Sequence, residues 1–209
     1  HKEYRRQRQM CIRDSIYMDN QTQEGTKNMQ KRHTDRESYF GEQSQTSKNY
    51  YIPYIKEVIG HIPDKVLEVG CGEGGNLLPF AEAGCRVMGV DIDATRIEQA
   101  RTFFAQRHQQ GQFIATDIFQ LKDKATNFPL ILLHDVIEHI RDKERFLSGL
   151  QKHLSADGAI FVGFPAWQMP FGGHQQIAHS HIVSHFPFLH LLPRTLYRWI
   201  LSCLLYTSP

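Results

Sequence analysis

A strand, a turn of glycines, a short helix, a second strand and an acid follow one another between Val66 and Asp93, and this order limits the fold more than any other stretch. Val66-Leu67-Glu68-Val69 is an apolar strand carrying one carboxylate, and Gly70-Cys71-Gly72-Glu73-Gly74-Gly75-Asn76 supplies the turn. An amphipathic run then closes at Gly84, and Arg86-Val87-Met88-Gly89-Val90-Asp91 forms the next strand. A strand that returns parallel to its predecessor after one helix needs a right-handed crossover and a sheet covered on both faces. Glycines between strand and helix let a ligand approach without interference from Cβ atoms, and they aim amide N–H groups at its negative end. The acid at the end of the second strand offers the acceptor that ribose hydroxyls need. The unit reads as the cradle of a ribose-bearing cofactor.

The same grammar continues along the chain. Apolar periodicity and turn residues predict strands over 66–69, 87–90, 113–115, 130–133 and 159–164, with helices over 77–83, 94–106 and 143–153. Asp93 is placed to N-cap the second helix, Gly84 to end the first, and Asp157-Gly158 to turn into the fifth strand. Strands alternating with helices predict an α/β fold, a Rossmann-like, doubly wound, mainly parallel sheet with helices on both faces. Tyr50-Tyr51-Ile52-Pro53-Tyr54-Ile55 with Val58-Ile59 suggests a further helix against the sheet edge. Residues 16–47 are polar and lack apolar periodicity until Tyr39-Phe40, so they read as a flexible leader.

Two cofactor classes fit the glycine turn. Gly70, Gly72 and Gly75 satisfy G-x-G-x-x-G with Asp91 about twenty residues on, which is the dinucleotide pattern. Glu68, however, stands two residues before the first glycine, where nicotinamide folds carry apolar residues, and a carboxylate there suits a cationic ligand. At Glu68-x-Gly70-x-Gly72-x-Gly74 the chain resembles the class I S-adenosylmethionine-dependent methyltransferases, whose first motif is an acid followed by G-x-G-x-G. The resemblance extends through Gln112-Phe113-Ile114-Ala115-Thr116-Asp117-Ile118, similar to that family's third strand. It continues through Phe128-Pro129-Leu130-Ile131-Leu132-Leu133-His134-Asp135-Val136-Ile137-Glu138-His139, similar to the fourth strand and its loop, and Gly158-Ala159-Ile160-Phe161-Val162-Gly163-Phe164-Pro165, similar to the fifth.

What the resemblance implies is specific. Gly70, Gly72 and Gly74 would face the methionine portion of S-adenosyl-L-methionine through their amides, with Glu68 countering its ammonium and the main chain of His134 adding a contact. Asp91 would hold both ribose hydroxyls. Ile92 and Ile118 would sandwich the adenine, whose amino group Asp117 would read. The implied reaction is in-line transfer of the sulfonium methyl to an oxygen, nitrogen or carbon nucleophile of a small-molecule acceptor. Because the methyl is already activated, the protein needs chiefly to align the partners and exclude water. A general base is optional; His139 is the candidate, and its structural alternative is a histidine packed at the start of the next helix. The alternatives to this activity are a nicotinamide-dependent oxidoreductase and a cofactor-binding module without turnover.

Beyond the fifth strand, Trp167, His174 and Gln175 are placed to line an acceptor pocket. His174, His179, His181, His185 and His190 lack a regular zinc-ligand spacing and a cysteine partner, and no metal site is expected. Residues 186–201 are read as a cover over the site or a peripheral membrane contact, with Pro187 and Pro193 favouring the cover. Gln9-Met10-Cys11-Ile12-Arg13-Asp14-Ser15 and Cys203-Leu204-Leu205-Tyr206-Thr207-Ser208-Pro209 look like translated sequencing-adapter read-through. The natural start is therefore expected near Met18, and the last two strands the family carries are expected to be missing. The organisation predicted is an artefactual start plus polar leader over 1–47, a cofactor-binding core over 48–165 and an acceptor-site or cover segment over 166–209.

Composition excludes some classes of function. The formal charge is +2, and setting aside residues 1–15, with five basic and two acidic side chains, leaves 19 basic against 20 acidic, so no nucleic-acid footprint is present. Hydrophobic content of 41% with 22% charged residues is ordinary for a globular protein. Of four cysteines, two lie in the suspect ends, and Cys71 and Cys85 have no disulfide or metal context, which together with the lack of a signal peptide before Met18 predicts a cytoplasmic location. No apolar run reaches the roughly twenty residues of a membrane helix.

Overall fold

The computed structural model describes residues 35–121, 126–164, 186–197 and 199. These fall in two units, the larger spanning 35–166 and the smaller containing the described part of 186–199.

The larger unit is built on five parallel strands, β1 (Lys65–Val69), β2 (Arg86–Asp91), β3 (Gln112–Ala115), β4 (Phe128–His134) and β5 (Leu154–Gly163). Their order is β3-β2-β1-β4-β5. In register, Val66 stands between Val87 and Leu130, and Val69 between Val90 and Leu133. Because side chains alternate along a strand, each face receives its own core. Val66, Val87, Leu130 and Leu132 join one apolar cluster with Phe40, Leu77, Phe80, Ile97 and Phe104. Leu67, Val69, Val90, Ile131 and Leu133 join the other with Phe128, Phe146 and Leu150.

Before the sheet runs one long helical segment, α1 (Arg36–Thr46), a π-helical turn (Ser47–Tyr51) and α2 (Ile52–Ile59), whose junction residues Thr46 and Ile52 are both helical. Pro53 sits in the first turn of α2. A proline inside a helix cannot donate to the carbonyl four residues earlier and its ring crowds that carbonyl, and the wider π turn accommodates both. Gly60, at φ 89°, ends the segment. The helix thus begins within the stretch read from sequence as a polar leader. One residue explains this: Phe40 is fully buried, its ring centroid 4.9 Å from Phe103 and 6.4 Å from Phe104. Burying a phenylalanine contributes about 1.5–3 kcal/mol, enough to dock a helix that is otherwise polar.

The crossover helices are α3 (Leu78–Glu82), preceded by a 3-10 turn (Gly75–Leu77), α4 (Ala94–Gln106) and α5 (Lys143–Leu150), followed by a 3-10 turn (Gln151–His153). Asp93 caps α4, accepting from Thr95 N at 2.8 Å and Arg96 N at 3.3 Å, as the sequence predicts. The Asp157-Gly158 turn is a correction, since β5 begins at Leu154 and runs through both residues. A register shift opposite Phe128 and Leu130 absorbs them, and a Cβ on Gly158 would lie 2.8 Å from the Phe128 carbonyl oxygen. Glycine at that bulge permits the close backbone approach.

In the smaller unit Pro187 and Pro193 flank a 3-10 turn (Leu189–Leu191), with helix resuming at 194. No helix among the described residues is long and apolar enough to cross a membrane.

Candidate functional site

The strand order reverses at β1, whose neighbours are β2 and β4, and in an open parallel sheet the ligand crevice forms beyond the carboxyl ends of the strands at such a point. The glycine turn occupies that place. Gly70 and Gly72 have φ of 73° and 51°. A Cβ on Gly70 would collide with Val136 Cγ2 of the loop after β4, and one on Gly72 would lie 2.6 Å from an Arg96 guanidinium nitrogen. Both positions need glycine for conformation and for space.

The amides of this turn differ from expectation. Gly70 N donates to Val90 O at 2.7 Å, Gly74 N to Cys71 O at 2.8 Å and Gly72 N to Asp91 Oδ2 at 2.8 Å. Within the turn these donors satisfy the protein's own acceptors, because a chain reversing this tightly above the sheet must pair its buried N–H groups internally. The glycines bring the backbone close; they do not present a row of unengaged donors.

Asp91 closes β2, is 8% exposed and accepts one backbone N–H on each oxygen, from Gly72 on Oδ2 and from Asp93 on Oδ1 at 2.9 Å. Each oxygen keeps a second lone pair. Glu68 lies on the same sheet face as Val66, replacing an apolar side chain in that core, and is 1% exposed. Its Oε1 accepts from Asn76 Nδ2 at 2.8 Å, and its Oε2 is buried without a hydrogen-bond partner. Burial pushes the Glu68 carboxyl up to about 8. Asn76 is held in turn by Ser47 of the π turn, whose hydroxyl donates to the Asn76 carbonyl at 2.8 Å.

Two further groups were not identified from sequence. Glu73, inside the turn and fully buried, is bound by Arg96 of α4, at 3.1 Å from Nε and 2.9 Å from Nη2, and by Arg36 of α1 at 3.2 Å. An acid between glycines reads as a solvated loop residue, and its partners are 23 residues away on one side and distant on the other. Tyr51, on the π turn, lays its ring 5.6 Å from that of His134 and 4.9 Å from that of Phe161. Burial, and then the charges of Asp135 and Glu68, push its hydroxyl up to about 12, so it remains a proton donor at any physiological pH. A π turn is a common device at functional sites, but no sequence signal for it exists beyond Pro53.

The remaining residues expected in the site are placed as follows. Asp117 is half-buried and caps the 3-10 turn Ile118–Gln120, accepting from Phe119 N at 2.9 Å. Ile92 is 56% exposed, whereas Ile118 is 6% exposed within the second core cluster. His134 ends β4, and the next residue, Asp135, has φ 53°, an uncommon conformation for a side-chain-bearing residue and one found at site loops. His139 is half-exposed in the turn Ile137–His139, with Nε2 4.0 Å from Glu138 Oε1. Among the described residues no group of three or more His, Cys, Asp and Glu side chains is arranged to hold a metal ion. Trp167, His174 and Gln175 lie outside the described residues.

Comparison with known proteins gives a consistent set. A family described as a methyltransferase domain matches residues 67–160. A ubiquinone biosynthesis O-methyltransferase of Bartonella quintana is 33% identical over 118 residues, which cover 54% of this chain and 48% of that protein. The chain therefore spans about half the length of the curated relatives it matches. Among solved structures, the PH0226 protein of Pyrococcus horikoshii OT3 is 25% identical with a TM-score of 0.52, covering 59% of this chain and 54% of that one. A plantazolicin methyltransferase, solved with a desmethyl-plantazolicin analogue and SAH, shares the fold at 20% identity and a TM-score of 0.55, covering 75% of this chain and 55% of that one.

Proposed function

With residues 67–160 forming a class I S-adenosylmethionine-dependent methyltransferase domain, we propose that this chain binds S-adenosyl-L-methionine and transfers its methyl group to a hydroxyl oxygen of a small-molecule acceptor. The observation that carries the reading is the pair of buried carboxylic side chains, Glu68 on β1 and Asp91 on β2, flanking a glycine turn at the point where the strand order reverses. A ligand that is cationic at one end and carries a ribose matches both. Glu68 Oε2, a buried acceptor without a donor, fits the cationic end, and the second lone pairs of the two Asp91 oxygens fit the ribose hydroxyls. The hydroxyl acceptor is taken from the names of the curated relatives, which are O-methyltransferases.

When bound, the cofactor supplies an activated sulfonium methyl, and in-line attack by the acceptor oxygen breaks the carbon–sulfur bond and leaves S-adenosylhomocysteine. The chain's own residues then have distinct tasks. Asp91, fixed by two backbone N–H groups, holds the ribose hydroxyls on its remaining lone pairs. Glu68 counters the ammonium, Asp117 and the isoleucines Ile92 and Ile118 accept the adenine, and the His134 main chain orients the methionine end. His139, half-exposed on the loop after β4, is the candidate to take the hydroxyl proton. Tyr51 and Phe161 supply apolar surface beside His134 that excludes water from the strand ends. In the same reading Trp167, His174 and Gln175 line the acceptor pocket.

Isothermal titration of the full chain with S-adenosylhomocysteine, beside NADH as control, tests this. Saturable binding of the homocysteine compound alone is expected, followed by transfer of radiolabelled methyl to a phenol. Tight NADH binding without it would sink the reading, and binding without transfer to any hydroxyl acceptor would sink the acceptor class. The nicotinamide and no-turnover alternatives draw no support from the relatives, which are methyltransferases.

A further inference from the structure

The Glu68 carboxyl and the Asn76 amide share one hydrogen bond, Nδ2 to Oε1 at 2.8 Å, and hold one acceptor each that nothing satisfies, Glu68 Oε2 and Asn76 Oδ1, both buried. Leaving two acceptors desolvated and unpaired is costly. One proton answers both: an O–H on Oε2 donates to Oδ1, and acid and amide then close a ring of two hydrogen bonds. Asn76 is 2% exposed, and the buried Ser47 hydroxyl fixes its backbone through the main-chain carbonyl at 2.8 Å, which keeps the residue inside beside Glu68.

We propose that Asn76 is a positioning residue that holds Glu68 as a neutral carboxylic acid in this two-bond pair, and that cofactor uptake opens the pair, the Glu68 proton passing to solvent and the carboxylate facing the ligand's ammonium. The second half rests on the methyl-transfer reading; the first concerns the unliganded chain alone. The surroundings of Glu68 agree with it. Asp91 at the end of β2 opposes a second negative charge, Arg96 on α4 favours one, and Cys71 beyond β1 and Tyr51 on the π turn remain uncharged. The Arg96 guanidinium is already committed to Glu73 through two bonds. Burial outweighs these effects and pushes the carboxyl up to about 8.

Infrared difference spectroscopy on the full chain reads the protonation directly, because a protonated carboxyl absorbs apart from a carboxylate. The unliganded chain at neutral pH should show a protonated-carboxyl band that is missing from Glu68→Gln, whose amide reproduces both hydrogen bonds and so preserves the fold. The band should fade as pH rises through about 8, and in Asn76→Ala it should move to higher frequency because both bonds to the acid are lost. No such band in the unliganded chain, or a band that Asn76→Ala leaves unmoved, overturns the pair; should Asn76→Ala fail to fold, the comparison with Glu68→Gln decides. Saturating S-adenosylhomocysteine should remove the band, and its persistence with calorimetrically proven binding overturns the linkage. A band without any binding overturns the methyl-transfer reading and leaves the acid–amide pair standing.

Discussion

Replacing Asp91 by alanine separates what that carboxylate does for the ligand from what it does for the loop. Each oxygen accepts one backbone N–H, from Gly72 at 2.8 Å and Asp93 at 2.9 Å, and each retains one lone pair for a ribose hydroxyl. A hydrogen bond to a charged acceptor contributes about 1.5–3 kcal/mol, so two of them amount to about 3–6 kcal/mol, a loss of about a hundredfold to ten-thousandfold in affinity. The same substitution orphans the Gly72 and Asp93 amides, at about 1–3 kcal/mol each where they are buried. Titration with S-adenosylhomocysteine reads the first quantity and denaturant unfolding the second. Asp93→Ala is the control, because it removes only the cap of α4 and should cost about 1 kcal/mol of stability with affinity unchanged. Binding by folded Asp91→Ala within about threefold of the unaltered chain would refute the ribose assignment.

Phe40→Ala should lower unfolding free energy by about 3–5 kcal/mol, the cost of emptying a fully buried phenylalanine site; a loss under about 1 kcal/mol in urea titration would mean that α1 does not dock on the core. Glu73→Gln leaves two guanidinium groups facing a neutral amide, and since Arg96 and Arg36 are 33% and 37% exposed the cost should be reduced to about 2–3 kcal/mol, with weaker S-adenosylhomocysteine binding in the same calorimetric series. Burial pushes Glu68 up to about 8 in the folded chain against 4.5 ordinarily, so between those values the folded state holds a proton that the unfolded chain has released. Stability should therefore fall as pH rises across that window and level off above it. Glu68→Gln should lose that slope; parallel pH profiles of the denaturation midpoint for the two proteins would contradict the assignment.

How much could be read in advance depended on whether the deciding contacts were local. The bounds of α4 were legible because Asp93 and the periodic Ile97, Ala100 and Phe104 are neighbours in sequence, and the alternation of strands with helices was legible because each crossover carries its own turn residues. Helix α1 was not, since a single buried ring, Phe40, anchors it and the rings it meets lie more than sixty residues later, at Phe103 and Phe104. The start of β5 was missed because polar Ser155 and Asp157 occupy its first turn of pairing, where a bulge rather than side-chain pattern keeps the strand in register. In the site, Glu68 and Asp91 announced themselves by standing at strand ends, whereas Glu73 acquires its meaning only from Arg36 and Arg96, which the fold alone brings to it.

The long helix before the sheet makes the matched segment and the folding segment two different lengths of chain. The match to the methyltransferase-domain family starts at residue 67, yet the glycine turn within it borrows a counter-charge from Arg36, a hydroxyl from Ser47 and, beside β4, an aromatic ring from Tyr51. Grafting residues 67–160 into another scaffold would transplant the strands and the motif together with a buried acid short of one arginine and an asparagine short of its anchor. The portable unit for exchange among such domains starts upstream of Arg36, where Asp35 caps the helix that completes the turn.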